Sequence, residues 1–172
     1  MPLLFCILAL IPAAQAARVP AIDDLIQLTT PGQAQISPDG KYVAYTVRQA
    51  DFEQNAYVAH IWIVETASGR SWQLTRGKKS AGAPRWSPDS RWLAFTSDRE
   101  GGKNQLFAIP PDGGEAVQLT KAATAVGAFA WSLDGKHIAF TAPEKEPQAL
   151  KDSKGHLGEF QVALAEIGRA HV

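Results

Sequence analysis

The chain has 172 residues, 17 acidic and 17 basic side chains, and 45% apolar residues. That length and apolar content suit one ordinary domain with a core. A formal net charge of zero excludes a protein drawn to nucleic acid or anionic lipid by bulk electrostatics, and a single cysteine excludes a disulfide framework.

The first sixteen residues, MPLLFCILALIPAAQA, carry no charged side chain. An apolar stretch from Leu3 to Ile11 precedes Ala14-Gln15-Ala16. This order predicts a signal peptide over residues 1–16, cleaved before Ala17, and the stretch is too short to span a bilayer. Its departure from the usual pattern is the lack of Lys or Arg before the apolar run. Cys6 follows bulky Phe5, where a lipid-anchor site needs a small residue, so no lipid anchor is read. The mature chain would be periplasmic or secreted, with no membrane segment after cleavage and no cysteine chemistry.

Residues 17–35 form a lead-in. IDDLIQLTTPGQAQ, at 22–35, predicts a short helix or turn, capped by Asp23 or Asp24. A repeat follows. ISPDGKYVAYTV, RWSPDSRWLAFTSD and WSLDGKHIAFTA align on Asp39, Asp89 and Asp134, spaced 50 and 45 residues apart. Such periods mark propeller blades, each a small four-stranded antiparallel sheet. WQLT ending at Thr75 and VQLT ending at Thr120 repeat with the same 45-residue period.

Ser-Pro-Asp-Gly is turn chemistry. Pro38 presets φ, Ser37 and Asp39 bond back to the backbone, and Gly40 takes the left-handed position that closes a hairpin. Ser90 in place of glycine, and Leu133 in place of proline, predict weaker copies of that turn. The apolar runs after each turn suit strands covered on both faces. Ala44, Ala94 and Ala139 recur at one position and would let adjacent sheets approach. HIWIVE (60–65) and QLFAIP (105–110) read as third strands, and SWQLT and EAVQLT as outer strands. DFEQNAYV (51–58) reads as a longer loop in blade 1. RGKKSAGA and KAATAVGA read as connections between blades, and the basic cluster RGKK (76–79) as a solvated loop.

The fold expected is all-β: an incomplete propeller over 36–165, about two and a half four-stranded blades. PEKEPQALKDSKGHLGEFQVALAE reads as a charged loop or helix leading into a strand. Residues 166–172 read as a tail outside the blades. Ile167–Val172 reverse-translates to a widely used short-read sequencing adapter whose next triplet is a stop, so this tail is expected to be an artefact of the gene record. With the ring unclosed, the last sheet would expose an apolar face, and the chain alone is expected to fold poorly.

DLIQLTTPGQAQISPDGKYVAYTV and WSPDSRWLAFTSDREGGKNQLFAIPPDGGEAVQLT resemble the propeller of S9 serine peptidases, the prolyl oligopeptidase family. The likeness lies with the acylaminoacyl-peptidase and dipeptidyl-aminopeptidase branch and covers roughly residues 22–147. It implies a propeller that limits substrates to peptides, followed by an α/β-hydrolase domain with Ser, Asp and His in that chain order. The alternative is a non-enzymatic TolB-like periplasmic propeller that binds protein partners; a third is a propeller attached to some other hydrolase or sensor.

No catalytic, metal-binding or cofactor-binding residue is assigned. No G-x-S-x-G is present, and Ser68, Ser71 and Ser80 lack flanking glycines. His60, His137, His156 and His171 show no metal or acid–base spacing, and His60 and His137 read as structural. Asp98, Arg99 and Glu100 read as a solvated loop. No cofactor and no nucleic acid are implied, peptide substrates are implied through the full-length enzyme, and the oligomeric state is open.

Overall fold

The structure is a computed structural model and describes residues 21–22, 26–144 and 160–166. The expected signal peptide with Cys6, the caps Asp23 and Asp24, His156, His171 and residues 167–172 lie outside them.

Three antiparallel sheets follow one another along the chain. Blade 1 comprises β1 (Thr30–Ile36), β2 (Tyr42–Asp51), β3 (Ala56–Glu65) and β4 (Ser71–Gln73). Blade 2 comprises β5 (Ala81–Trp86), β6 (Leu93–Ser97), β7 (Gln105–Ile109) and β8 (Val117–Gln118). Blade 3 has three strands, β9 (Phe129–Trp131), β10 (His137–Pro143) and β11 (Phe160–Glu166), with β10 in the middle. This is the expected open, partial propeller. The first strands of successive blades lie side by side, β1 against β5 and β5 against β9.

The repeated turn works as its residues predict. Ser37 Oγ donates to Asp39 at 2.7 Å and accepts from the Tyr42 N–H at 2.9 Å, while Asp39 accepts from the Lys41 N–H at 3.1 Å. Ser87 repeats these bonds with Asp89 and Trp92, and Ser132 with Asp134 and His137. Gly40 and Gly135 take the left-handed conformation, with φ of 72° and 68°. Ser90 takes it too, at φ 61°, against the steric preference of a residue with a Cβ. The structure shows what offsets that strain: Ser90 Oγ accepts the Asp39 N–H at 3.1 Å, tying the blade 2 turn to the blade 1 turn.

Two apolar seams hold the sheets together. Ala44, Ile61, Ile63 and Leu74 of blade 1 meet Trp86, Leu93, Phe95, Phe107 and Ile109 of blade 2. Ala94 and Leu106, on the far side of blade 2, meet Ile138 and Phe140 of blade 3. Blade 2 is therefore covered on both faces, and every residue of β7 is buried. Leu93, Phe95 and Phe107 are at most 2% exposed, and each such side chain contributes about 1.5–3 kcal/mol. The recurring alanine sits in the seams as read: Ala44 and Ala94 are fully buried.

Polar bonds index the seams. The Trp86 indole N–H donates to the Gln35 carbonyl of blade 1 at 3.0 Å, and the equivalent Trp131 donates to the Arg85 carbonyl of blade 2 at 3.1 Å. Within blades, Gln-Leu-Thr closes the outer edge. Thr75 Oγ1 accepts the Ile61 N–H, and Thr120 Oγ1 the Leu106 N–H, both at 2.9 Å, each hydroxyl standing in for a ladder carbonyl. Gln73 and Gln118 then donate to the carbonyls of Thr75 and Thr120.

Three readings change. Thr30–Ile36 is the first strand of blade 1, so residues 30–35 are not the lead-in helix or turn expected there; a bulge between Gly32 and Gln35 breaks the alternation that marks a strand. The last three residues of RGKKSAGA, 81–83, likewise belong to β5, which carries the same bulge between Gly82 and Arg85. DFEQNAYV is not a longer loop. Residues 48–59 extend the β2–β3 hairpin, so both strands reach 10 residues against 5 in blade 2. The Arg48 guanidinium lies 4.3 Å from the Tyr57 ring centre, and Asp51 caps the tip by accepting from the Gln54 N–H at 3.1 Å.

The Ser90 geometry gives a ranked expectation. Ser90→Ala keeps the left-handed strain and loses the bond to Asp39, so it should destabilise by about 1–2 kcal/mol. Ser90→Gly loses the bond and the strain together and should cost less. Urea denaturation of the three proteins checks the order, and a glycine variant weaker than the alanine variant would contradict it.

Candidate functional site

Catalysis needs a nucleophile, a base and an orienting group within hydrogen-bond reach. Ser132, Asp134 and His137 supply the right residue types, but as a turn. The Ser132 hydroxyl donates to Asp134 and accepts the His137 backbone N–H at 3.0 Å, so its bonds are committed to the hairpin. Ser68 donates to Glu65 and accepts the Arg70 N–H at 3.2 Å; Ser80 accepts the Ala59 N–H at 3.2 Å. Among the described residues no group of His, Cys, Asp and Glu is placed to hold a metal. Among them, too, no helix is long and apolar enough to cross a membrane.

His60 is buried, 6% exposed. It occupies the position that Gln105 holds in blade 2, one residue before the amide bonded by the Gln-Leu-Thr threonine. Gln105 pins the connection to blade 3: its Nε2 donates to the Ala122 and Thr124 carbonyls, and its Oε1 accepts from Thr120 Oγ1 and the Ala122 N–H. His60 does part of the same work, since its ring bonds the Gly77 backbone. Its Nδ1 has no partner. Burial, with the nearby Arg99 charge adding to it, pushes the His60 imidazole below its ordinary pKa. The structural reading of this histidine thus has a specific content: it anchors the loop between blades 1 and 2.

Arg99 departs from the solvated-loop reading. Its guanidinium lies 5.2 Å from the ring centres of both Phe95 and Phe107, inside the first seam. Nη2 is buried without a partner, and burial lowers the guanidinium pKa. Beside it opens a cavity of about 470 Å³, lined by Trp72, Arg76, Ile109, Asp112 and Glu115 among others. Asp98 instead pairs with Lys79 at 3.1 Å, and residues 76–80 are exposed as expected.

With no catalytic constellation here, the repeat itself is the informative feature. The family model for the TolB beta propeller domain, PD40, matches residues 28–164. The chain belongs to this family. It is 44% identical over 92 residues to the uncharacterized peptidase YuxL of Bacillus subtilis (strain 168), covering 54% of this chain and 14% of that protein. It is 34% identical over 90 residues to dipeptidyl-peptidase 5 of Porphyromonas endodontalis, covering 52% of this chain and 13% of that protein. An acylaminoacyl peptidase of Pyrococcus horikoshii superposes with a TM-score of 0.60 at 19% identity, over 72% of this chain and 19% of that one. That last likeness shows the fold alone. Together the matches make this chain a PD40 propeller whose blades are similar to segments of YuxL and dipeptidyl-peptidase 5. It spans about a seventh of the length of YuxL and of dipeptidyl-peptidase 5.

The buried histidine has a pH signature. The unfolded chain takes up a proton near pH 6.5, its ordinary value, while the folded imidazole resists it. Stability at this position is therefore full above that value and falls as pH drops below it, towards the lowered folded pKa. His60→Gln supplies the amide that Gln105 already uses, so it should fold and should flatten the loss between pH 7.5 and pH 5.5. Denaturation midpoints at the two pH values test this; an unchanged pH slope in the variant would count against the assignment.

Proposed function

We propose that this chain is the amino-terminal propeller portion of an exported serine peptidase of the prolyl oligopeptidase family. The propeller restricts access to peptides, and an α/β-hydrolase domain elsewhere in the protein carries the nucleophilic Ser, its Asp and its His. The observation that carries the reading is the 44% identity to a peptidase across the blade repeat. The described residues are consistent with this division of labour, because the serines placed above are spent on turns and loop contacts. The charge-free stretch over residues 1–16, ending in Ala-Gln-Ala, supports export to a periplasm or beyond the cell.

A second reading keeps a specific support. The matching family model is described for TolB, and a non-enzymatic periplasmic propeller that binds protein partners would show the same blades.

Sequencing the source gene through and beyond the codon for Glu166, then exposing its full product to a fluorophosphonate probe, separates the two. A downstream G-x-S-x-G and covalent labelling that vanishes on Ser→Ala at its centre are expected. A frame that continues through blades without that motif, and no labelling, would replace the peptidase with the TolB-like reading.

A further inference from the structure

A groove runs along the outer part of the seam between blades 1 and 2, and its walls come from the two sheets whose four strands are all described. It encloses the cavity of about 470 Å³ beside Arg99, a volume that suits a small ligand. Trp72 and Leu74 of blade 1 and Ile109 of blade 2 form its apolar middle.

Charge is segregated along this groove. At one end stand Arg76 and Arg99. His60 marks that end, since its ring bonds the Gly77 backbone and lies near the Arg99 charge. At the other end stand Asp112 and Glu115, on the turn between β7 and β8. The Trp72 indole N–H donates to the Pro111 carbonyl at 3.1 Å and ties the start of β4 to that turn. The chain from Trp72 to Arg76 spans at most about 14 Å. Among the described residues Arg76, Arg99, Asp112 and Glu115 are in no salt bridge. Arg99 Nε donates to Ser97 Oγ at a long 3.4 Å, and Nη2 is buried with no partner. A half-buried guanidinium held against Phe95 and Phe107 has lost water that no carboxylate replaces. A carboxylate entering the groove would supply the acceptor.

We propose that the groove binds a linear zwitterion of tripeptide size, its carboxylate at Arg99 and Arg76 and its ammonium at Asp112 and Glu115. Charge complementarity selects the occupant. A simple anion would meet two carboxylates at the far end, and a simple cation two guanidiniums. Length agrees, because three extended residues span at most about 11 Å and the long charged side chains at the ends cover the remainder. The four charges are present whether or not a hydrolase domain lies elsewhere in the protein, so the site stands apart from the peptidase reading.

Titration calorimetry on the full product of the source gene tests this with ω-aminooctanoate, which carries both charges at its ends and has no peptide bond to cleave. Binding is expected. The corresponding ω-aminooctanamide, which lacks the carboxylate, should bind at least about tenfold more weakly. Octanoate, which lacks the ammonium, should lose only about threefold, because Asp112 and Glu115 are exposed. Arg99→Gln should bring acid and amide to within about twofold of each other. Glu115→Gln should erase most of the difference between ω-aminooctanoate and octanoate. Arg76 is exposed, so Arg76→Gln should melt like the parent and still narrow the acid-to-amide ratio. If Arg99→Gln shows no cooperative melt, Arg76→Gln decides. No binding of ω-aminooctanoate, equal affinity for acid and amide in the parent, or a ratio untouched by the deciding variant would each overturn the proposal.

Discussion

Each sheet here depends on a neighbour to cover it. A four-stranded sheet with apolar side chains on both sides has no stable existence in water; it needs another sheet on each face. Blade 2 has that arrangement and contains the most completely buried strand. Among the described residues, blades 1 and 3 have it on one side. The steep gradient in burial from the middle blade outward is a direct statement of how stability is distributed, since opening of either outer blade exposes one seam while loss of the middle blade destroys both.

The seam also explains why the repeated residues are the ones they are. Ala44 and Ala94, after the first two turns, are small where large side chains of the next blade pack in the seam. The tryptophan before the second and third turns is large because it fills the seam and polar because its N–H reaches the preceding blade. Ser90 shows the same logic at finer scale. As a turn residue it is inferior to glycine; as a link between neighbouring turns it does something glycine cannot.

Much of this was legible in the sequence. The three aspartates gave the period, the Ser-x-Asp turns gave the hairpins, and the double-sided apolar runs gave the stacking. The first strand of each blade was not legible. β1 and β5 are bulged and rich in glycine, alanine and glutamine, so no alternation marks them. The extended hairpin was hidden for a related reason: Gln49 and Asp51 look like loop residues, and pairing across the hairpin overrides that preference. Arg99 was read as solvent-facing because its neighbours Asp98 and Glu100 are charged. Long side chains can bury the stem and head away from their backbone position, and composition gives no hint of direction. The roles of His60 and Gln105 emerge only when the blades are superposed, since histidine and glutamine share no obvious pattern until their common loop is seen.

A stack of near-equal repeats offers a visiting molecule several equivalent ways to approach. The long β2–β3 hairpin removes that degeneracy. At the tip side it carries four paired residues on each strand, 48–51 and 56–59, beyond its blade 2 counterpart, a reach of roughly 13 Å at the usual rise per residue. Its tip bears the exposed rings of Phe52 and Tyr57. Whatever meets the propeller from that end meets blade 1 first, so an object that is almost rotationally uniform acquires a front and an orientation.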